Sequence, residues 1–440
     1  MKMVALYCLK KCLIGGVLLL PFSLSAQKDI SLEHCITRAL ESNYSIKLVR
    51  NSEQVAKNNA TYAPFLPTVG IDAQQNERIN DTKTITNGDR NTASGATSDV
   101  LSAGMSLNWR LFDGMSMFTT YAKYQEIMVM GELNTQMAMD NLVVNVCEAF
   151  YNVIVQHSKL DAAKHSLGLS SERYHEAHDK YVIGSLSGLE LQQAKIDLNA
   201  DSSKYMKQKE MLKSAYISLN MIMNADLQQD MYVNDSIQLS RPLEYKSLYD
   251  NTLAHNTALQ IARKDQRISA LDVKIARSAL FPTLDFNTGY NYSRTKSPSA
   301  NTTLNRTNGF YWGFALKVNV FDRLENRRKI KNAKLDEESA EWSYRDIELQ
   351  TLADLAQLYN TYENNLQIVS FENESAEVAF ENLDAALEKY KLGSLSGIEF
   401  REFQRSYIDA VDRKLASIYQ AKVSELSLLL ISGDIKVALK

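Results

Sequence analysis

The chain has 440 residues, of which 45% are hydrophobic and 23% charged, with only 17 Gly and 6 Pro, a balance that excludes a disordered, collagenous or low-complexity protein. Its 49 basic and 52 acidic side chains give a formal charge of −3, so no global basic field draws it to nucleic acid, and a polynucleotide partner is not expected.

Residues 1–26 read as an export signal. Lys2, Lys10 and Lys11 supply a positive start, Cys12 to Phe22 form an apolar run, and Ser23-Leu24-Ser25-Ala26 ends in small residues. That run of about 11 residues falls far short of the roughly 20 a spanning helix needs. The mature chain then begins at Gln27, and loss of the three lysines takes the charge from −3 to −6. Of the 4 Cys, Cys8 and Cys12 leave with the signal. Cys35 and Cys147 remain, which excludes a disulfide framework and leaves a single bridge open. Cys12 stands at the start of the apolar run instead of closing it, which argues against a lipid-anchored N-terminal cysteine. No later stretch reaches spanning length, so any membrane residence must come from β-strands.

The rest of the chain is one plan used twice. Phe112-Asp113 recurs as Phe321-Asp322 and YVIGSLSGLE from Tyr181 recurs as YKLGSLSGIE from Tyr390, both at a separation of 209 residues. PFLPTV from Pro64 answers ALFPTL from Ala279 at a separation of 215, so six residues of length difference fall between Pro67 and Phe112. The polar stretch Ile79 to Asp99 is read as a loop that absorbs them. The copies are placed at 27–225 and 243–440, joined by a linker at 226–242.

In chain order, helical periodicity covers about 31–41 and 44–63, and Pro67 stops it. Strands follow at about 68–79 and 100–112, then a long helix at about 115–183, a tip at 184–188 and a return helix to Met223. The second copy repeats this with helices at about 243–254 and 257–279, a stop at Pro282, strands at about 283–295 and 309–321, a long helix at about 325–392, a tip at 393–397 and a return helix to Ser432. The strands alternate: Phe310, Trp312, Phe314, Leu316, Val318 and Val320 oppose Tyr311, Gly313, Ala315, Lys317 and Asn319. Strands of about ten residues with aromatics near the ends have the reach and dyad of a transmembrane barrel. Four of them cannot close one, since about eight is the practical minimum, so the barrel must be shared between chains.

Each long helix of some 65 residues makes a rod of roughly 100 Å. In the second, Leu352, Leu355, Tyr359, Tyr362, Leu366, Val369, Ala376, Phe380, Leu383, Leu387 and Tyr390 follow coiled-coil spacing, and the first carries a diluted version. At the tips, Gly184 and Gly393 suit a left-handed cap, and Ser187 and Ser396 can cap the returning helices. Leu186 and Leu395 are expected at the exposed apex as an apolar anchor for a partner.

Catalytic constellations are absent. His175 and His178 come nearest to metal spacing, but no third ligand stands beside them. There is no phosphate-cradling loop with a following Lys, no nucleophile elbow and no HExxH. The expectation is a protein without enzymatic activity or cofactor.

The doubled plan, the junctions at Leu66-Pro67 and Phe281-Pro282, the FD exits and the two Tyr-x-x-Gly tips resemble the outer-membrane efflux proteins typified by TolC. That resemblance implies a mainly α fold with a β-barrel part. Three chains would form a 12-stranded barrel in outer-membrane lipid, continuous with a periplasmic α-helical barrel. It implies a passive duct for small molecules or polypeptides in multidrug efflux or type I secretion, joined through a periplasmic adaptor to an inner-membrane pump of RND or ABC type. The adaptor-contacting tips would be Tyr181, Gly184, Leu186, Gly393 and Leu395, and the periplasmic gate Glu190, Tyr390, Glu399 and Glu402. One departure is Leu395, where the family prototype carries a gate arginine. The rival reading, a trimeric coiled-coil adhesin with a shared barrel anchor, would place one barrel segment at one end, whereas here two hairpins interrupt the helices at matched internal positions.

Overall fold

The computed structural model describes residues 31–229, 236–239, 242–297 and 303–435; the segment read as an export signal and parts of the 226–242 stretch read as a linker lie outside them. Eight helices and four strands follow in the order α1 (Leu32–Ser42), α2 (Tyr44–Asn59), β1 (Thr68–Thr86), β2 (Asp89–Asp113), α3 (Ser116–Val182), α4 (Gly188–Ile222), α5 (Tyr245–His255), α6 (Thr257–Ser278), β3 (Thr283–Lys296), β4 (Leu304–Lys317), α7 (Glu325–Lys391) and α8 (Gly397–Ile431). The fold is mainly helical with one antiparallel sheet, ordered β1-β2-β3-β4, so β1 and β4 are its free edges. Among the described residues no helix is long and apolar enough to cross a membrane.

The strand boundaries correct the sequence reading. Residues 79–99 are not a loop: β1 and β2 run on through them and close at Asn87-Gly88, both with positive φ (52° and 93°), the geometry of a tight primed turn. Since β2 meets β3 only from Asp99 onward, the outer part of the first hairpin stands beyond the four-stranded sheet as a two-stranded ribbon. Its register shifts at Asn80/Thr82, where the Asp81 carboxylate accepts from the Gly95 amide and the Ser94 hydroxyl at 2.8 Å each. At the other end β4 covers Leu304–Lys317 in place of 309–321, and Val318 to Phe321 leave the ladder.

The FD exits are helix starts. The Asp113 carboxylate accepts from the Met117 amide at 3.0 Å, and the Asp322 carboxylate from Asn326 at 2.7 Å. Between each Asp and its helix the chain makes a left-handed step, through Gly114-Met115 and Arg323-Leu324. Gly114 is held there by space, since a Cβ would lie 2.4 Å from the Ser278 carbonyl oxygen.

The largest core lies midway, where α1, α2, α3, α4 and α8 meet around Ile46, Val146, Phe150, Val153, Leu219 and Leu426. Cys35 and Cys147 are both buried here as free thiols, and burial pushes their pKa values up to about 11 and about 12. In α7 the buried seam is Leu355, Tyr362, Val369, Ala376 and Leu383 at strict sevens, while Phe380 is half exposed.

Above the core the helices stand side by side in the strand order, α2 against α3, α3 against α6 and α6 against α7. The two end helices each carry an exposed apolar line, Leu48, Val55 and Tyr62 beside α2 and Leu335, Trp342 and Leu349 on α7, all more than half exposed and seven residues apart; Tyr62, past the end of α2, also stacks on Tyr121 of α3. Within α2 and α7 themselves the line lies on the far side of the helix from the in-chain neighbour. On α7 the covered positions include Ile330, Ala333, Glu337 and Tyr344, roughly 150° around the helix from the apolar line.

Candidate functional site

Each rod turns at a GSLSG tip whose residues are fixed by local bonds. Gly184 (φ 81°) and Gly393 (φ 74°) end α3 and α7, and the next serine amides reach back to the Lys180 and Lys389 carbonyls at 2.9 Å. Ser187 and Ser396 then cap α4 and α8. Each accepts from the amide three residues on, while the Glu190 or Glu399 carboxylate accepts from the serine amide, which completes two capping boxes. These bonds hold Glu399 below the usual carboxylate range, the Ser396 amide contributing most. Glu190 and Glu399 therefore have a structural task within their own turns.

Leu186 and Leu395 are not the exposed apex. Both are half-buried, and Leu395 packs with Leu383, Ala386, Phe400 and Tyr390. The flanking positions face out instead: Ile183, Leu189, Leu392 and Ile398 are 76 to 82% exposed, two matched pairs 209 residues apart. Tyr181 is about half exposed, whereas its counterpart Tyr390 stacks on Phe400 at 5.3 Å, and burial pushes its hydroxyl pKa up. The Lys180 ammonium sits 5.4 Å from the Tyr390 ring centre, joining the first tip to the second. Glu402 is exposed on α8, one turn from the cap.

A polar cluster missed by sequence reasoning lies just above the tips, between α3, α4 and α8. Arg401 of α8 grips the Asp201 carboxylate of α4 with both terminal nitrogens, at 2.5 and 2.8 Å. Arg173 of α3 pairs with Asp197 of α4 and donates to the Gly397 carbonyl at 2.9 Å. Gln404 donates to the Ser166 carbonyl and hydroxyl at 2.9 Å each and to the Ser170 hydroxyl at 3.0 Å. Arg173, Asp197, Asp201 and Gln404 are buried. Burial alone would push the Asp201 carboxyl up, but the Arg401 and Ser170 bonds outweigh it and hold it below the ordinary range. Its hydroxyls, Ser166 and Ser170, are bonded to Asp201 and Gln404 with no His or Lys base beside them, and no group of three or more potential metal ligands occurs among the described residues. It can clamp one hairpin to the other; it cannot do acid–base work on a substrate.

On the sheet, one face is apolar across all four strands. Trp109, Phe286 and Phe314 lie in one row and Ile71, Met105, Tyr290 and Phe310 in another. The opposite face is polar, with Arg110 bonded to Asp285 at 2.9 Å. Exposed aromatics on one side and a salt-bridged polar side on the other are the two surfaces of a membrane barrel wall.

Known proteins with this arrangement are transport channels. The family model described as "Outer membrane efflux protein" matches residues 35–225 and again 248–434. The cation efflux system protein CusC of Escherichia coli K12 is 23% identical over 294 residues, covering 65% of this chain and 63% of CusC, so the match spans less than two thirds of that relative's length. Among solved structures, the Campylobacter jejuni CmeC outer membrane channel superposes with a TM-score of 0.75 at 17% identity, over 92% of this chain and 86% of CmeC. The Vibrio cholerae outer membrane protein VceC gives 0.74 at 14% identity, over 91% and 96%.

Proposed function

The chain belongs to the outer membrane efflux protein family, a family of channels and not of enzymes, and on that premise we propose that three copies form the outer-membrane exit duct of a tripartite efflux system. The observation that carries this is the sheet with two free edges, β1 and β4, continued below by four helices in the same lateral order. Three such units give twelve strands over twelve helices, and a closed ring removes both edges. The duct hydrolyses nothing. A partner pump, through an adaptor, supplies the energy, and small molecules or polypeptides pass along the lumen. Mass measurement of the detergent-solubilised complex tests the assembly: a trimer is expected, and a monomer or dimer refutes the shared barrel.

In the assembled duct the matched apolar pairs at the tips form a ring of twelve exposed side chains on a periplasmic end otherwise made of caps. A periplasmic adaptor docks there. Gly184 and Gly393 shape the turns, Leu186 and Leu395 brace them from inside, Tyr181 borders the first, and Glu190 and Glu399 hold the caps. Exchanging Leu189 and Ile398 together for glutamate should abolish export while trimer mass stays unchanged, because burying an unpaired charge at a small apolar contact costs several kcal/mol. Export at the parental level would remove these two residues from the docking surface.

The aperture is governed by the contacts that fix α7 and α8 against α3 and α4. Tyr390, stacked on Phe400 beneath Lys180, and exposed Glu402 belong to that aperture, while the Arg401–Asp201 grip supplies a cationic latch in a chain whose tip carries Leu395.

A further inference from the structure

One row of the apolar sheet face is occupied by charge. Beyond Tyr290 and Tyr292, Arg294 of β3 stands directly opposite Arg306 of β4, with Leu101 on its other side, and Lys296 follows two residues on, opposite Leu304. All three cations lie on the same face as the aromatics, since side chains two apart on a strand share a face. Like charges directly opposite each other destabilise a sheet unless an anion lies between them. Asp99, paired across from Lys296, answers only part of this. It reaches Arg294 at 3.5 Å while also accepting from the Gln75 amide at 3.3 Å. Glu77 is the other acid on this row. The Arg294 Nε is buried with no hydrogen-bond partner, and Arg306 and Lys296 are exposed with none among the described residues.

The height of this row is set by the strands. Thr68, Asp113, Thr283 and Lys317 end at the helical side, so the arginine row lies at the opposite end of the sheet, away from the periplasm. From Leu284 to Tyr292 the apolar band runs eight residues, about 26 Å along a strand and roughly 20 Å once tilted, close to the hydrocarbon thickness a barrel wall must cover. The cations therefore stand where outer-leaflet headgroups begin.

We propose that Arg294, Lys296 and Arg306 form a site for the phosphate of a lipid headgroup in the outer leaflet. The acyl chains lie down the aromatic face, and the phosphate separates the two guanidinium groups. Arginine suits this task because its planar donors bind phosphate oxygens in pairs. The inference rests on the barrel reading of the sheet, and its test keeps the two apart. Native mass spectrometry of the detergent-solubilised complex reports assembly and bound lipid together, with diphosphorylated lipid A as the probe.

The parental trimer should retain up to three lipid A molecules, and the double variant Arg294→Gln/Arg306→Gln should lose at least tenfold in affinity at unchanged trimer mass. The single variant Arg306→Gln, at an exposed position, should give a smaller loss and covers the case in which the double variant does not fold. Arg78→Gln, on the polar face of β1, should change nothing. Equal retention by the double variant, equal binding of lipid A stripped of its phosphates, or displacement by millimolar inorganic phosphate would each overturn the site, the last by showing a free-anion site. Absence of a trimer would instead refute the barrel reading.

Discussion

Replacing Arg401 by alanine is expected to open the resting channel by about two orders of magnitude, with the trimer still assembled. Breaking a buried ion pair by removing one partner costs about 3–5 kcal/mol, because the remaining charge stays desolvated. The Arg401 side chain is 18% exposed and its partner Asp201 only 7%, so the lower end applies, about 3 kcal/mol. If the grip exists only when α8 lies against α4, that energy falls wholly on the closed state and shifts the equilibrium about 100-fold. Single-channel recording in planar bilayers reads it as open probability, and entry of a large antibiotic reads it in cells. Arg401→Lys, which keeps the charge but not the paired geometry, should fall between. The pH dependence follows from the depressed carboxyl of Asp201. A carboxylate whose folded pKa lies below its unfolded value, roughly 4, contributes stability that is complete above that value and is lost only as pH falls through the depressed one. Resting conductance should therefore stay flat from pH 8 to about 5 and rise only below about 4. An unchanged open probability in the alanine variant would show that the grip is indifferent to opening.

The doubled plan, the long rods and the tip turns were legible because each rests on local chemistry: FD places a capping carboxylate, and GSLSG with a glutamate three past the second serine spells a left-handed stop and a capping box. The outer ribbon was not legible, since a hairpin wet on both faces needs no alternation, and residues 79–99 show none. Its one strong signal is Asn87-Gly88, which marks a hairpin turn wherever strands flank it. The exposure expected of Leu186 and Leu395 was not met, because exposure within a tight turn depends on which way the chain folds under, and periodicity does not report that.

The polar clamp joins residues about 200 apart, so no local pattern announces it. A signal existed in the broken symmetry of the copies. Asp201 and Arg401 correspond, at the 209-residue separation, to Ala410 and Gln192, and Arg173 to Asn382. Where two copies of one plan differ in charge at covered helical positions, the difference marks the surface by which they meet.

The ends of the unit carry the largest effect on assembly. In a ring, β4 of one copy pairs with β1 of the next, which brings α7 beside the next copy's α2, running antiparallel. The heights agree. Ala56 packs at Gly131 of α3, placing Val55 level with that turn, and Trp342 is the repeat counterpart of Leu133, two residues lower. Tyr62 stacks on Tyr121 at 5.0 Å near the top of α3, above the level of Leu335. Leu335, Trp342 and Leu349 thus face Tyr62, Val55 and Leu48 of the neighbour, and the departure of each line by roughly 150° from its in-chain contact matches the interior angle of a twelve-helix ring. Covering one tryptophan of 150–250 Å² is worth about 3 kcal/mol, repeated at three seams. Trp342→Glu should leave monomers in detergent at concentrations where the parent is trimeric, and Trp342→Phe should not. A Val55→Cys/Trp342→Cys variant, treated with a short bis-maleimide, should give covalent trimers, with Cys35 and Cys147 silent because they are buried. Trimers that form normally yet never cross-link would show that the ring closes with these two helices in another register.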